Sequence, residues 1–146
     1  MNRIVIGFTG PTAGGKGTAA AFLKESGYSY FSLSDEVFFA ADDLTEIAHQ
    51  PEISMRLVGR RTKGRALGML HEVYQPGADT GETMLRHEGE ECGIVVSGCL
   101  TVTVGTQERT LRPGEAYYFR SDIPHRFRNQ GTEPCVLISA NAPPTF

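Results

Sequence analysis

The chain has 146 residues, 40% hydrophobic and 21% charged, which is ordinary for one soluble domain, or one domain with a short appendage. Its 14 basic and 17 acidic residues leave a net charge of −3, so neither nucleic acid nor an anionic membrane is indicated as a partner. No stretch reaches the ~20 apolar residues of a membrane span, and the start lacks the charged-then-apolar pattern of a secretion signal. The three cysteines, Cys92, Cys99 and Cys135, match no zinc spacing and are expected as small buried hydrophobes in a reducing, cytoplasmic setting.

In chain order, Ile4, Val5, Ile6 and Phe8 form a continuous apolar run, as in a strand covered on both faces. A glycine-rich turn from Gly10 to Thr18 follows, then a short helix over Ala19–Lys24 closed by Gly27, then a second strand over Tyr28–Leu33. Gly10, Gly15, Lys16, Gly17 and Thr18 fit a phosphate-cradling loop between strand and helix, where backbone N–H groups form an anion nest and the lysine adds a point charge. Residues 1–36 therefore read as a strand–loop–helix stub and 37–52 as an acidic linker with a short helix before Pro51. The basic residues Arg60, Arg61, Lys63 and Arg65 read as a solvated loop.

From Ile53 the pattern is β throughout. Ile53–Leu57, Ala66–Tyr74, Ile94–Val96, Leu100–Val104, Tyr117–Phe119, Arg126–Arg128 and Cys135–Ser139 are predicted strands, punctuated by Ser97-Gly98, Gly105-Thr106, Pro113-Gly114 and Gln130-Gly131. Leu100, Val102 and Val104 alternate with Thr101 and Thr103, the period-2 mark of a half-buried strand. Many short strands with frequent Gly and Pro turns predict a barrel or jelly roll over 53–146.

Two stretches carry chemistry, GETMLRHEGEECGIVVSG from Gly81 to Gly98 and GEAYYFRSDIPHRFRN from Gly114 to Asn129. They resemble the two cupin motifs. His87, Glu91 and Gly98 match the second histidine, the glutamate and the closing glycine of the first motif, and Gly114, His125 and Asn129 match the second motif. Leu85 stands where the first histidine is expected, and Arg120 and Asp122 replace a proline and a glycine. The resemblance implies a mainly β fold, the cupin double-stranded β-helix, here with an N-terminal strand–P-loop–helix appendage. It also implies a reduced metal set of His87, Glu91 and His125, able to hold a divalent ion such as Fe, Zn, Mn or Ni. The alternative is a metal-free ligand pocket of His87, Glu91, Tyr117 and His125.

From Leu44 onward the chain resembles the C-terminal cupin of helix-turn-helix transcription regulators. Leu67–Leu70, Pro76–Glu82, His87–Glu91, Ile123–His125 and the ending Pro143–Phe146 carry the likeness. In that family the barrel senses a small-molecule effector and dimerises, while N-terminal helices bind DNA. The sequence shows no such helices, so a homodimeric effector sensor is expected, without direct DNA binding by this chain or membrane association. Up to Asp35 the chain instead resembles the opening of adenylate-kinase-like and dephospho-coenzyme-A-kinase-like enzymes. The acceptor site, arginine-bearing lid and further parallel strands of such enzymes do not follow, so that segment is expected to be a fusion remnant or a misjoined reading frame, with weak phosphate binding as the remote alternative. A metal-dependent cupin enzyme is the second functional reading, and a nucleotide or coenzyme kinase fragment the third.

Among the other polar residues, Glu88 and Glu90 are expected at a solvated edge and His71 as structural. Arg120, Arg126 and Arg128 would suit a carboxylate ligand, but alternation with an inward Phe127 would expose the last two.

Overall fold

The structure, a computed structural model, describes residues 38–48, 50–59 and 65–145. The strand–P-loop–helix expectation, with Gly10, Gly15, Lys16, Gly17 and Thr18, lies outside the described residues, as does His49. Residues from Phe39 onward form one compact unit.

Among the described residues, nine strands follow a 3-10 turn at Ala41–Asp43. They are β1 (Thr45–Glu46), β2 (Ile53–Leu57), β3 (Gly68–Tyr74), β4 (Glu90–Ser97), β5 (Leu100–Val104), β6 (Gln107–Leu111), β7 (Ala116–Arg120), β8 (His125–Arg128) and β9 (Cys135–Ala142). Six make one antiparallel sheet in the order β1-β2-β3-β9-β4-β7, and three make a second, β6-β5-β8. Bridges from Asp79 to Arg128 and from Leu85 to His125 extend the small sheet with the segment before β4.

The core lies between the sheets, where Tyr74, Val95, Leu100, Val102, Phe119, Phe127 and Leu137 are buried together. Alternation places these residues inward: β9 buries Cys135, Leu137, Ser139 and Asn141 in turn, as a period of two requires. The β4–β5 turn depends on Gly98, whose φ is +72° and whose Cβ, were there one, would lie 2.4 Å from the Pro134 carbonyl oxygen.

The short helix expected before Pro51 is the 3-10 turn at Ala41–Asp43, followed by β1, which pairs with Arg56 and Leu57. Two expectations are corrected. Strand β5 is buried on both faces, not half-buried: Thr101 and Thr103 are covered, with Thr103 Oγ1 donating to Glu108 at 2.7 Å and Thr101 Oγ1 2.9 Å from Thr110 Oγ1. Of the cysteines only Cys135 is buried, while Cys92 is exposed, because it takes the outward phase of β4 between Glu91 and Gly93.

Candidate functional site

The site is assembled from three segments at one end of the barrel interior. His125 opens β8 and exchanges both backbone hydrogen bonds with Leu85, at 2.8 and 2.9 Å. That bridge carries the chain onward so that His87 N–H donates to the Ser121 carbonyl at 2.9 Å. The two imidazoles meet edge to face, 5.2 Å between centroids. Glu91, the second residue of β4, pairs with Phe119 on β7 and Asn141 on β9, and its inward phase turns its carboxylate toward both histidines.

The separations suit a shared ligand. Glu91 Oε2 stands 3.5 Å from His87 Nε2 and 3.9 Å from His125 Nε2, and one ligand atom from each residue lies within 4.8 Å of the others. Donors ~2.1 Å from a common ion in tetrahedral array sit roughly 3.4 Å apart, so the cluster is close to that spacing and slightly open.

Proton positions follow from the partners. His87 Nδ1 is 3.0 Å from the Glu88 carbonyl and His125 Nδ1 is 2.9 Å from the Ile123 carbonyl. A carbonyl accepts only, so each Nδ1 carries a hydrogen, and in the tautomer this selects the Nε2 lone pair faces the site. His125 is 0% exposed and its Nε2 is buried with no hydrogen-bond partner, a costly arrangement unless something accepts that lone pair. The residues present therefore fit a divalent metal: two oriented imidazoles, one of them with an orphaned Nε2, and one carboxylate oxygen.

Tyr117 joins from β7. Its hydroxyl donates to Glu91 Oε1 at 2.9 Å, which occupies one carboxylate oxygen and leaves Oε2 for the histidines. Burial, then the Glu91 charge, hold the phenol far above its usual range, so it remains a donor. Gly93 makes the space: a Cβ there would lie 2.7 Å from the Tyr117 ring. Phe119, at 4.9 Å, and Phe127, at 5.9 Å, wall the His125 ring.

The sequence reading missed four polar residues. Glu72 is buried on β3 and accepts from Tyr74 Oη at 2.7 Å and from Ser139 Oγ. Burial pushes its carboxyl up to about 7 and the Glu91 charge adds to the rise, while the two hydrogen bonds act against it. Its signal was parity with Leu70 and Tyr74, the inward residues of the same strand. Ser121 Oγ and Asn141 Oδ1 are buried and unpartnered near the same end, and Ser139 sits between them and Glu72 on β9.

The remaining candidates lie elsewhere. Glu88 and Glu90 are exposed, as an edge position requires. His71 accepts from Arg56 at 3.2 Å on the outer face of the large sheet. Arg126 and Arg128 are half-buried and not free: they pair with Asp79 and Glu108 across the small sheet, which corrects the expectation of exposure. Arg120 is exposed and bonded to Asp122. Asn129, matched to the second motif, is a brace: it donates to the Tyr74 and Glu133 carbonyls and accepts from Gly131 N–H.

Two facing antiparallel sheets with a His–Glu–His cluster between them define the class, and residues 70–141 match the family model described as Cupin domain. This part of the chain has a mainly β, cupin-like fold. Over 111 residues the chain is 40% identical to the HTH-type transcriptional regulator PuuR of Escherichia coli (strain K12), an alignment covering 76% of this chain and 59% of that protein. The chain thus spans less than two thirds of the length of the curated relatives it matches. Among solved structures, it resembles the Cupin_2 domain of an XRE family transcriptional regulator from Enterobacter cloacae (TM-score 0.57, 24% identity, 64% of this chain and 98% of that one). It also resembles an RmlC-like cupin from Shewanella frigidimarina NCIMB 400 (TM-score 0.64, 16% identity, 75% and 93%). At such identities these two structures speak for the fold alone. No helix among the described residues is long and apolar enough to cross a membrane.

Proposed function

We propose that this cupin domain is the effector-sensing part of a transcription regulator, holding a small molecule at His87, Glu91, Tyr117 and His125. The observation that carries the reading is the buried, unpartnered Nε2 of His125 facing the Glu91 carboxylate, inside a barrel related at 40% identity to a regulator. The interior charges set the ligand's character. Glu72 and Glu91 both point inward, and no lysine or arginine is buried among the described residues. A ligand bearing an ammonium group is therefore favoured over a carboxylate, which would meet uncompensated like charge.

Calorimetric titration of the full chain with a linear alkyl diamine and with a dicarboxylate of matched length tests this. The diamine is expected to bind and His125→Ala to weaken it at least tenfold, roughly 1.4 kcal/mol. Equal binding of both probes, or a diamine affinity untouched by the substitution, contradicts the reading.

A second reading, a metal-dependent cupin enzyme, draws on the two Nδ1-pinned histidines. His87, Glu91 and His125 would hold the ion, which would supply Lewis acidity and open coordination positions for a substrate. Tyr117 would hold Glu91 in place, and Phe119 and Phe127 would exclude water. Purified chain without metal, and with no heat of binding on adding Fe(II), removes that reading.

A further inference from the structure

The backbone that positions His125 also positions Leu85. The N–H and carbonyl of Leu85 both bond to those of His125, at 2.8 and 2.9 Å, and residues paired directly across an antiparallel ladder turn their side chains to the same face. His125 is buried in the interior, so Leu85 faces the same way. Val104 pairs with His125 from the other side and packs, half-buried, against the core. Leu85, His125 and Val104 thus form one row across the small sheet, an imidazole between two aliphatic side chains. Leu85 is 38% exposed and His125 0%, which puts the leucine on the solvent side of the row. A molecule whose head sits at Glu91 and His125 has one open direction. Phe119 and Phe127 close the space behind the His125 ring, at 4.9 and 5.9 Å, and Tyr117 occupies the room over Gly93. The way out runs past Leu85.

We propose that Leu85 is a specificity-determining residue of this site: it holds the carbon atoms next to the ligand's head group and rejects ligands that carry a hydroxyl or a carboxylate there. In this role it presupposes an ammonium head at Glu91, the reading proposed for the site, and adds what the adjoining part of the ligand must be. A leucine partly open to water beside a polar cluster gains when a methylene covers it, about two- to threefold in affinity for partial cover, against ~fourfold for full burial. A hydroxyl in the same place finds neither donor nor acceptor on Leu85 or Val104 and loses its water, which costs about tenfold or more. The asymmetry is the useful part, because a single aliphatic side chain separates a plain alkylamine from an amino alcohol or amino acid with the same head.

Calorimetric titration of the full chain with propylamine and with ethanolamine, which differ by a terminal methyl against a hydroxyl, tests the proposal in wild type and in Leu85→Ser. Wild type is expected to bind propylamine about tenfold more tightly than ethanolamine. Leu85→Ser supplies a hydroxyl at the same place and is expected to bring the two affinities within about twofold of each other. Equal binding of the two amines by wild type overturns the proposal and leaves the ammonium reading standing. So does a preference that persists unchanged in Leu85→Ser, since the discrimination then lies elsewhere in the interior. If neither amine binds at millimolar concentration, both fall. Should Leu85→Ser fail to fold, wild type with labelled leucine methyl groups decides. Magnetisation transfer from bound propylamine to the Leu85 methyls supports the contact, and its absence in a chain that binds propylamine refutes it.

Discussion

Replacing Glu72 by Gln isolates what a buried acid costs this barrel. Glu72 is buried between Tyr74 and Ser139, with no cation beside it, and its carboxyl is raised from 4.5 to about 7, chiefly by burial. Below pH 4.5 the group is protonated in both folded and unfolded chains and its linkage favours neither. Between pH 4.5 and 7 the unfolded chain ionises while the folded one does not, so stability falls as pH rises; above about 7 both are ionised and the loss is complete. The gap corresponds to ~3 kcal/mol. Glutamine has the shape of the protonated acid and offers, like it, one acceptor and one donor edge to Tyr74 and Ser139. Glu72→Gln should therefore match wild type near pH 4.5 and exceed it by ~3 kcal/mol at pH 8, roughly 10–20 °C in Tm for a domain of this size. Urea denaturation of both proteins across that range, with a chelator present, measures the difference directly, and titrations common to the two cancel. Parallel pH profiles would contradict this expectation, because they would mean that Glu72 ionises in the folded chain as it does in water.

Tyr117→Phe removes the hydroxyl from Glu91 Oε1 and leaves the ring in place. Co(II) titration should show a 10–100-fold loss of affinity with unchanged folding, as expected when the partner of a ligating carboxylate is deleted. Asn129→Ala should behave in the opposite way, destabilising the fold by about 3 kcal/mol in urea because the Tyr74 and Glu133 carbonyls and the Gly131 N–H lose their partner. Co(II) affinity of the folded Asn129→Ala fraction should stay within about twofold of wild type.

The barrel was readable because seven of its strands are short, largely apolar or aromatic runs between Gly and Pro turns. Strand β6 escaped because Gln107–Thr110 are exposed; its place is set by pairing with β5, a tertiary fact with no local periodicity. His87, Glu91 and His125 were singled out by the resemblance to the cupin motifs, and the structure brings these three side chains together. Glu72 was hidden because a carboxylate within an apolar strand reads as an outward residue until parity with Leu70 and Tyr74 is applied. Cys92 was misjudged for the converse reason: an apolar run such as that of β4 has two faces, and only one of them meets the core. The paired states of Arg126 and Arg128 rest on Asp79 and Glu108, which lie 47 and 20 positions from their partners, beyond the reach of local pattern.

What turns three polar side chains into a site is not their identity but the backbone around them. A histidine in an extended segment can present either nitrogen, and nothing in Arg86-His87-Glu88 or Pro124-His125-Arg126 selects one. The selection comes from the Glu88 and Ile123 carbonyls, each 3.0 Å or less from an Nδ1, which oblige both rings to turn Nε2 toward Glu91. The carboxylate is divided in the same manner, one oxygen to Tyr117 and the other to the histidines. Tyr117 can stand there only because Gly93 has no side chain, and a glycine inside a strand otherwise weakens it. The weakness of β4 at Gly93 is thus the structural condition for an oriented Glu91, and the site draws its geometry from a residue that carries no chemistry of its own.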